Sequence, residues 1–232
     1  KVKNPQKYNL PENTYLLAWT TTPWTLPGNV GLAVGPDMTY AVVQDGNAHY
    51  VEYEDGGSLI GKDLVGIEYE PLFDVPALKS ARSYKVWAAD FVTAGEGTGI
   101  VHTAVMYGED DFQLGLKEKL PMVQMLTPDG HYNEVAPEFV RGKYIKQAEK
   151  DIKSGLETRG LLHARDVHTH SYPHCWRCGT PLIYNAVGSW FLNIQKVKAK
   201  LLSENQKINW FPEHLKQGRF KHILENAPDW TI

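Results

Sequence analysis

The chain has 232 residues, a length that suits one large domain or one domain with an appendage. Its 24 basic and 27 acidic residues leave a net charge of −3, which excludes a protein that coats nucleic acid through excess positive charge, although a nucleic-acid end can still enter a local site. No apolar run approaches 18 residues and the Lys-Val-Lys-Asn-Pro-Gln-Lys start is mostly polar, so neither a membrane-spanning helix nor a signal peptide is expected.

Tyr15-Leu16-Leu17-Ala18 reads as a buried strand. It runs into Trp19-Thr20-Thr21-Thr22-Pro23-Trp24-Thr25-Leu26-Pro27-Gly28-Asn29. β-Branched threonines and proline rings both stiffen a chain. This loop is therefore expected to hold several hydroxyls at fixed positions facing a small polar ligand, such as a water or an ester. Short runs rich in β-branched and aromatic residues follow at 30–34, 40–44, 49–53, 64–69 and 85–88. Turn signals separate them: Gly35-Pro36-Asp37, Asp45-Gly46-Asn47 and Asp55-Gly56-Gly57. Asp45-Gly46-Asn47 reads as a hairpin turn. Many short strands at this spacing predict a barrel or strongly curved sheet within an α+β, strand-rich fold.

Gly95-Glu96-Gly97-Thr98-Gly99 leads into a buried strand, Ile100-Val101-His102-Thr103. Glu109-Asp110-Asp111 opens a helix running to about residue 119, with Phe112 and Leu116 on one face and acidic residues suited to its N-terminal dipole. Residues 142–160 read as an amphipathic helix whose stripe is Ile145, Ala148, Ile152 and Leu156, ended by Gly160. A strand is expected at 161–167. Beyond it the composition turns rich in His and Cys up to Cys178, and residues 190–205 and 219–226 look helical. We therefore expect one domain at 1–166 and a return segment at 167–232, too short for a core of its own. The abrupt ends read as those of a piece cut from something longer. The two cysteines share one Cys-x-x-Cys, which fits a reducing, cytoplasmic setting better than a secreted disulfide framework.

Three elements carry chemistry: the threonine loop, His102 after a glycine-rich turn, and Asp111 nine residues later at a helix start. Together they supply hydroxyls, one imidazole and one carboxylate, with no Gly-x-Ser-x-Gly elbow and no nucleophile triad. A carboxylate among hydroxyls suits the holding of an ammonium group while water attacks nearby, a reaction that depends on positioning. Each element alone has a plainer explanation. Threonine clusters are mostly strand surface or turn, a lone His is mostly structural, and an Asp at a helix start is mostly a cap.

The combination resembles the editing (CP1) domain of isoleucyl-tRNA synthetase, a class I aminoacyl-tRNA synthetase. The residues that carry the resemblance are 19–29, then Gly97-Thr98-Gly99-Ile100-Val101-His102-Thr103-Ala104 and Gly108-Glu109-Asp110-Asp111. Ser171-Tyr172-Pro173-His174-Cys175-Trp176-Arg177-Cys178-Gly179-Thr180-Pro181-Leu182-Ile183-Tyr184, Gly218-Arg219-Phe220 and Pro228-Asp229-Trp230 add to it. One departure is visible: this chain has Ala104-Val105-Met106 where the family commonly has Ala-Pro after the His-Thr pair.

The resemblance implies a barrel-like editing fold with peripheral helices, and hydrolysis of valine wrongly esterified to tRNA(Ile), with valyl-adenylate as a related target. A pocket sized for isoleucine rejects valine by only about 10–200-fold, the worked case for this enzyme family, so a second hydrolytic pocket is needed. Asp111 would bind the α-ammonium. Thr20, Thr21 and Thr22 would contact substrate and order the attacking water, with Thr25 and Asn29 as supports. His102 would line the side-chain pocket and exclude isoleucine, and Trp19 and Gly99 would complete the substrate site. Catalysis would rest on Asp111, Thr21, Thr22 and His102. Editing would need no cofactor. Neither His-x-Gly-His nor Lys-Met-Ser-Lys-Ser is present, so ATP and Mg would belong to the full-length parent. The implied partners are the 3′ aminoacylated end of tRNA(Ile) and the rest of the parent synthetase, with no membrane and a monomeric state.

Cys175 and Cys178 have zinc-knuckle spacing, and a structural site needs four ligands. His168, His170 and His174 lie near enough in sequence to complete one. In the family the matching cysteine pair tends to be half a zinc site whose partners precede the inserted domain, so no complete site is expected within this chain. Three other readings compete: the editing domain of valyl- or leucyl-tRNA synthetase, a non-catalytic tRNA 3′-end binding module, and a zinc hydrolase built on the cluster at 168–178.

Overall fold

The computed structural model describes residues 1–95, 97–169 and 171–232. Glu96 of the glycine-rich turn and His170 lie outside the described residues. In chain order the first unit contains β1 (Thr14–Leu16), a 3-10 turn (Pro23–Gly28), β2 (Gly31–Val34), β3 (Thr39–Asp45), β4 (Ala48–Tyr53), β5 (Leu59–Ile60), α1 (Gly61–Leu64), β6 (Lys85–Ala88), β7 (Ile100–Thr103), α2 (Glu109–Glu118) and α3 (Ile145–Thr158).

All four residues of β2 are buried, as expected of a short, uniformly apolar run with no polar face. It is the middle strand of three, parallel to β6 and antiparallel to β7, with Leu32 opposite His102 and Gly31 opposite Thr103. A second sheet runs β1-β4-β3-β5, with a two-residue turn joining β3 to β4 where Asp45 pairs with Ala48. The two sheets are stitched where β7 begins. Tyr53 N–H donates to Thr98 O at 2.7 Å, and the Tyr40 hydroxyl donates to Gly99 O at 2.8 Å. The strand-rich, barrel-like fold is thus two small curled sheets joined through their edges. Their shared core is built from Val30, Val34, Tyr40, Val51, Ile67, Leu78, Ile100 and Met125, and is closed by the stripe Ile145, Ala148, Ile152 and Leu156 of α3. That stripe falls on the predicted positions, because the 3.6-residue period puts all four on one face.

Several expectations are corrected. Residues 15–18 do not form a buried strand: β1 is an edge strand paired in parallel with β4, and only Thr14 is buried. Residues 64–69 form no strand; α1 ends at Leu64, and Ile67 and Tyr69 enter the core from an irregular run tied to Val86 and Tyr84 by backbone hydrogen bonds. On α2 the residues turned inward are Leu114 and Gly115, while Leu116 is exposed. The smallest residue faces in because α2 lies so close to Val105 that a Cβ on Gly115 would stand 2.4 Å from its side chain. Residues 161–167 form no strand either. His163 instead lays its ring on Tyr50 at 4.6 Å, and Leu161 and Leu162 pack on the core.

The chain divides into compact units at Lys1–Ala186 and Val187–Ile232, twenty residues beyond the boundary that composition suggests. The reason is the anchoring of the Cys-rich segment's far end: Gln124 Nε2 donates to Asn185 Oδ1 and to Ala186 O, each at 2.8 Å. The second unit holds β8 (Phe191–Leu192), α4 (Lys198–Lys207), α5 (His214–Gln217), α6 (Arg219–Asn226) and β9 (Trp230–Thr231). Here α6 matches the expected helix, whereas residues 190–197 are a strand and a turn rather than the first part of α4. β8 and β9 pair antiparallel, and Asn205, buried under α5, accepts from Trp210 Nε1 at 2.8 Å. Among the described residues no helix is long and apolar enough to cross a membrane.

Candidate functional site

The threonine loop folds as two nested turns. Thr20 Oγ1 accepts from the Thr22 N–H at 3.1 Å, the local capture that hydroxyl side chains favour in turns. Pro23 then starts the 3-10 turn, where its missing N–H costs nothing, and Thr22 O accepts from the Thr25 N–H at 2.9 Å. The Thr20 and Thr22 hydroxyls stand 3.4 Å apart, Thr20 and Thr22 half-buried and Thr21 exposed. Trp24 locks the turn from beneath: its ring packs against Tyr107 at 5.6 Å, its carbonyl accepts from the Tyr132 hydroxyl, and α3 packs on the turn.

The stretch from Val101 to Tyr107 grips the loop at both ends. Trp19 forms a bridge with Val101, and Gly28 sits where a Cβ would stand 2.9 Å from the Tyr107 ring and 3.6 Å from Ala104. Gly99, just before β7, is in the left-handed region with φ of +67°, and a Cβ there would meet that of Tyr53 at 2.4 Å. Its place is therefore fixed by backbone geometry as well as by any ligand.

His102 is 7% exposed and both of its ring nitrogens are used. Nε2 stands 2.7 Å from Thr25 Oγ1, and Nδ1 stands 3.0 Å from Asn29 Nδ2. Burial alone pushes its pKa down to about 4, so the ring is neutral near pH 7. Asp111 lies in the first turn of α2 but caps nothing. Its Oδ2 accepts from the Ala104 N–H at 3.1 Å, which ties the carboxylate to the end of β7 two residues beyond His102. Its Oδ1 has no protein donor among the described residues. Burial raises the carboxyl to about 6, opposed by the Ala104 N–H and assisted by Asp110.

The structure thus joins Thr20, Thr22, Thr25, Asn29 and His102 through hydrogen bonds, and it brings Trp19, Gly28 and Asp111 to the same stretch, 101–107. Among the described residues, the Thr21 hydroxyl makes no hydrogen bond into this network. Tyr69 is a member that the sequence did not reveal: its hydroxyl donates to Asn29 Oδ1 at 2.7 Å from 40 residues away. No motif or spacing signals that contact.

A family model for class I tRNA synthetases (I, L, M and V) matches residues 23–232. The chain belongs to that family. It is 42% identical to an isoleucine–tRNA ligase of Treponema denticola over 97% of the chain and 23% of that relative, and 43% identical to one of Bacillus thuringiensis over 95% and 22%. The chain therefore spans less than a quarter of the length of these synthetases. A crystal structure of GlLeuRS-CP1 superposes with a TM-score of 0.51 over 71% of this chain and 89% of that one. At 14% identity this is a likeness of fold to that CP1 domain.

The Cys-rich segment of this synthetase domain forms a tight turn, closed by Cys175 N–H to Thr180 O at 2.8 Å and Gly179 N–H to Cys175 O at 2.9 Å. Cys178 is exposed, and its Sγ lies 3.1 Å from Thr180 Oγ1. That hydroxyl, followed by the Thr180 backbone and Cys175, lowers the Cys178 thiol to about 7. His174 Nδ1 is engaged with Tyr172 O at 2.9 Å, and among the described residues no group of three or more His, Cys, Asp or Glu is placed to hold a metal. The described residues supply two thiols, where a tetrahedral zinc site needs four ligands.

Proposed function

We propose that this chain is the editing module of an isoleucyl-tRNA synthetase and hydrolyses valine esterified to the 3′ end of tRNA(Ile). The observation that carries the proposal is the convergence of the Thr20–Thr22–Thr25 hydroxyls, the buried His102 and the half-buried Asp111 on residues 101–111. Above about pH 6 the Asp111 carboxylate is charged, with one oxygen held by Ala104 and the other left for an α-ammonium. Such a charge-assisted contact is stronger in a partly dry site than in water. The loop hydroxyls orient a water toward the ester carbonyl. Water adds to that carbon, the bond to the ribose oxygen breaks, a water proton ends on the ribose, and valine and tRNA leave. His102 has no free nitrogen to take the proton and acts as a wall. No cofactor is required by this chemistry. ATP, Mg and a completed zinc site belong to the parts of the synthetase outside this chain.

Asp111→Ala, measured in the full-length synthetase so that tRNA is gripped normally, is expected to lower Val-tRNA(Ile) deacylation by more than about a hundredfold, since an anchoring ion pair of this kind supplies several kcal/mol of positioning. Near-full activity in that assay overturns the role. The alternative of a non-catalytic 3′-end binder predicts tRNA binding without turnover. An editing domain for valine or leucine synthetases predicts preference for Thr- or Met-charged tRNA in the same panel.

A further inference from the structure

We infer that Tyr69 is a positioning residue of this site: through Asn29 it fixes the proton of His102 on Nε2 and holds the imidazole as a rigid, neutral wall. The inference rests on the editing reading for its catalytic consequence, but its geometry stands apart from that reading.

The hydrogen-bond accounting runs from both ends and meets in the middle. At one end, the Thr25 hydroxyl lies 2.9 Å from Thr22 O. A backbone carbonyl only accepts, so the single Thr25 proton points there, and Thr25 Oγ1 must accept from His102 Nε2 at 2.7 Å. Nε2 therefore carries hydrogen and Nδ1 is the acceptor. At the other end, Asn29 Nδ2 lies 2.9 Å from Gly31 O, again an acceptor only, which fixes the orientation of the amide. The second hydrogen of Nδ2 faces His102 Nδ1 at 3.0 Å, and Asn29 Oδ1 is left to accept from Tyr69 at 2.7 Å. Thr22 O and Gly31 O favour the same tautomer, the second only while the Asn29 amide keeps this orientation. Tyr69 completes the network: it is 4% exposed, and without its hydroxyl Asn29 Oδ1 is a buried acceptor with no donor.

Tyr69 is itself held firmly. Its ring meets that of Tyr84 edge-on at 6.0 Å, and its N–H donates to Tyr84 O at 3.0 Å. Burial, followed by the neighbouring Tyr84, raises its hydroxyl well above the ordinary tyrosine range, so it is always a donor. By donating to Oδ1 it polarises the amide and strengthens the N–H that Asn29 offers to Nδ1. That donation occupies the lone pair a proton would need, which keeps the ring uncharged.

The test is the nitrogen spectrum of histidine in uniformly 15N-labelled protein, wild type against Tyr69→Phe, with the hydrolysis of Val- and Ile-tRNA(Ile) measured in parallel. In wild type the His102 signal should show Nε2 protonated and Nδ1 bare, with no titration between pH 5 and 8. In Tyr69→Phe it should show averaging between tautomers or a titration moved upward, together with at least a threefold rise in the ratio of Ile to Val hydrolysis. A wild-type Nδ1-protonated ring, or a titration near pH 6.5, overturns the inference without any variant. So does a folded Tyr69→Phe protein whose His102 signal is unchanged. If neither protein hydrolyses Val-tRNA while the nitrogen signals behave as stated, the editing reading fails and the positioning of His102 stands.

Discussion

His102 and Thr25, 77 residues apart in sequence, stand 2.7 Å apart, and the geometry lets the proton between them lie only on the ring. The imidazole is therefore a donor to the loop that it faces. That separates two roles that look alike in sequence. A histidine beside hydroxyls can activate them by accepting a proton, whereas this one braces them by giving one.

His102→Ala should leave Val-tRNA(Ile) hydrolysis within about tenfold of wild type, because no proton transfer is lost. Protection of Ile-tRNA(Ile) should collapse by about 10–200-fold, the discrimination that one methylene can supply. Deacylation of both substrates, compared as kcat/KM, checks this. Retained resistance of Ile-tRNA(Ile) refutes the wall.

Asp111→Asn should abolish deacylation and stabilise the protein. The carboxyl is raised from 3.8 to about 6 on folding, so the native state binds its proton more tightly than the unfolded chain. The ionised group therefore costs stability above pH 6, and the cost disappears as pH falls below 4. Two pKa units at about 1.4 kcal/mol each set a ceiling near 3 kcal/mol for the gain at pH 7.5. His102 has the opposite sign, since its value falls from 6.5 to about 4 and its contribution is lost as pH drops through that range. In wild type the two slopes oppose each other between pH 4 and 6. In the Asn variant the His102 slope stands alone, and urea midpoints across pH 4–8 should show a steeper acid loss.

The pH profile of kcat/KM on Val-tRNA(Ile) should fall about tenfold per unit below an inflection near 6, where Asp111 loses its charge. His102 adds no inflection in this range. A flat rate from pH 5 to 8 is incompatible with an ionised Asp111 anchoring the ammonium.

Alkylation of Cys178 by iodoacetamide should reach half its limiting rate near pH 7, two units below an ordinary thiol, and Thr180→Val should move that midpoint upward.

Much of this site was legible because its chemistry is packed into short segments. The stiff loop, His102 and Asp111 each lie in one local motif, and the eight residues between the last two are just the length of the strand end and turn that join them. The α3 stripe was equally plain, since four apolar residues at helical spacing have one interpretation. Tyr69 was invisible for the converse reason. Its run looks like a strand by composition, and its partner Asn29 is found only after β2 and β6 pair. Gly115 misled in another way: pattern reading seeks large apolar residues on the inner face, whereas close approach to Val105 selects the smallest.

The pairing of β2 with β6 and β7 also sets an order in time. Asn29 and Thr25 meet His102 across 73 and 77 residues, and the Tyr132 hydroxyl that braces Trp24 lies 108 residues further along the chain. Contacts this distant close slowly, after local helices and hairpins have formed. On a ribosome the loop emerges about a hundred residues ahead of Tyr132, and its long-range contacts close only after those residues have followed it out. The candidate site is thus among the last features of this unit to form, and a nascent chain cannot complete it before residues 102 and 132 have emerged.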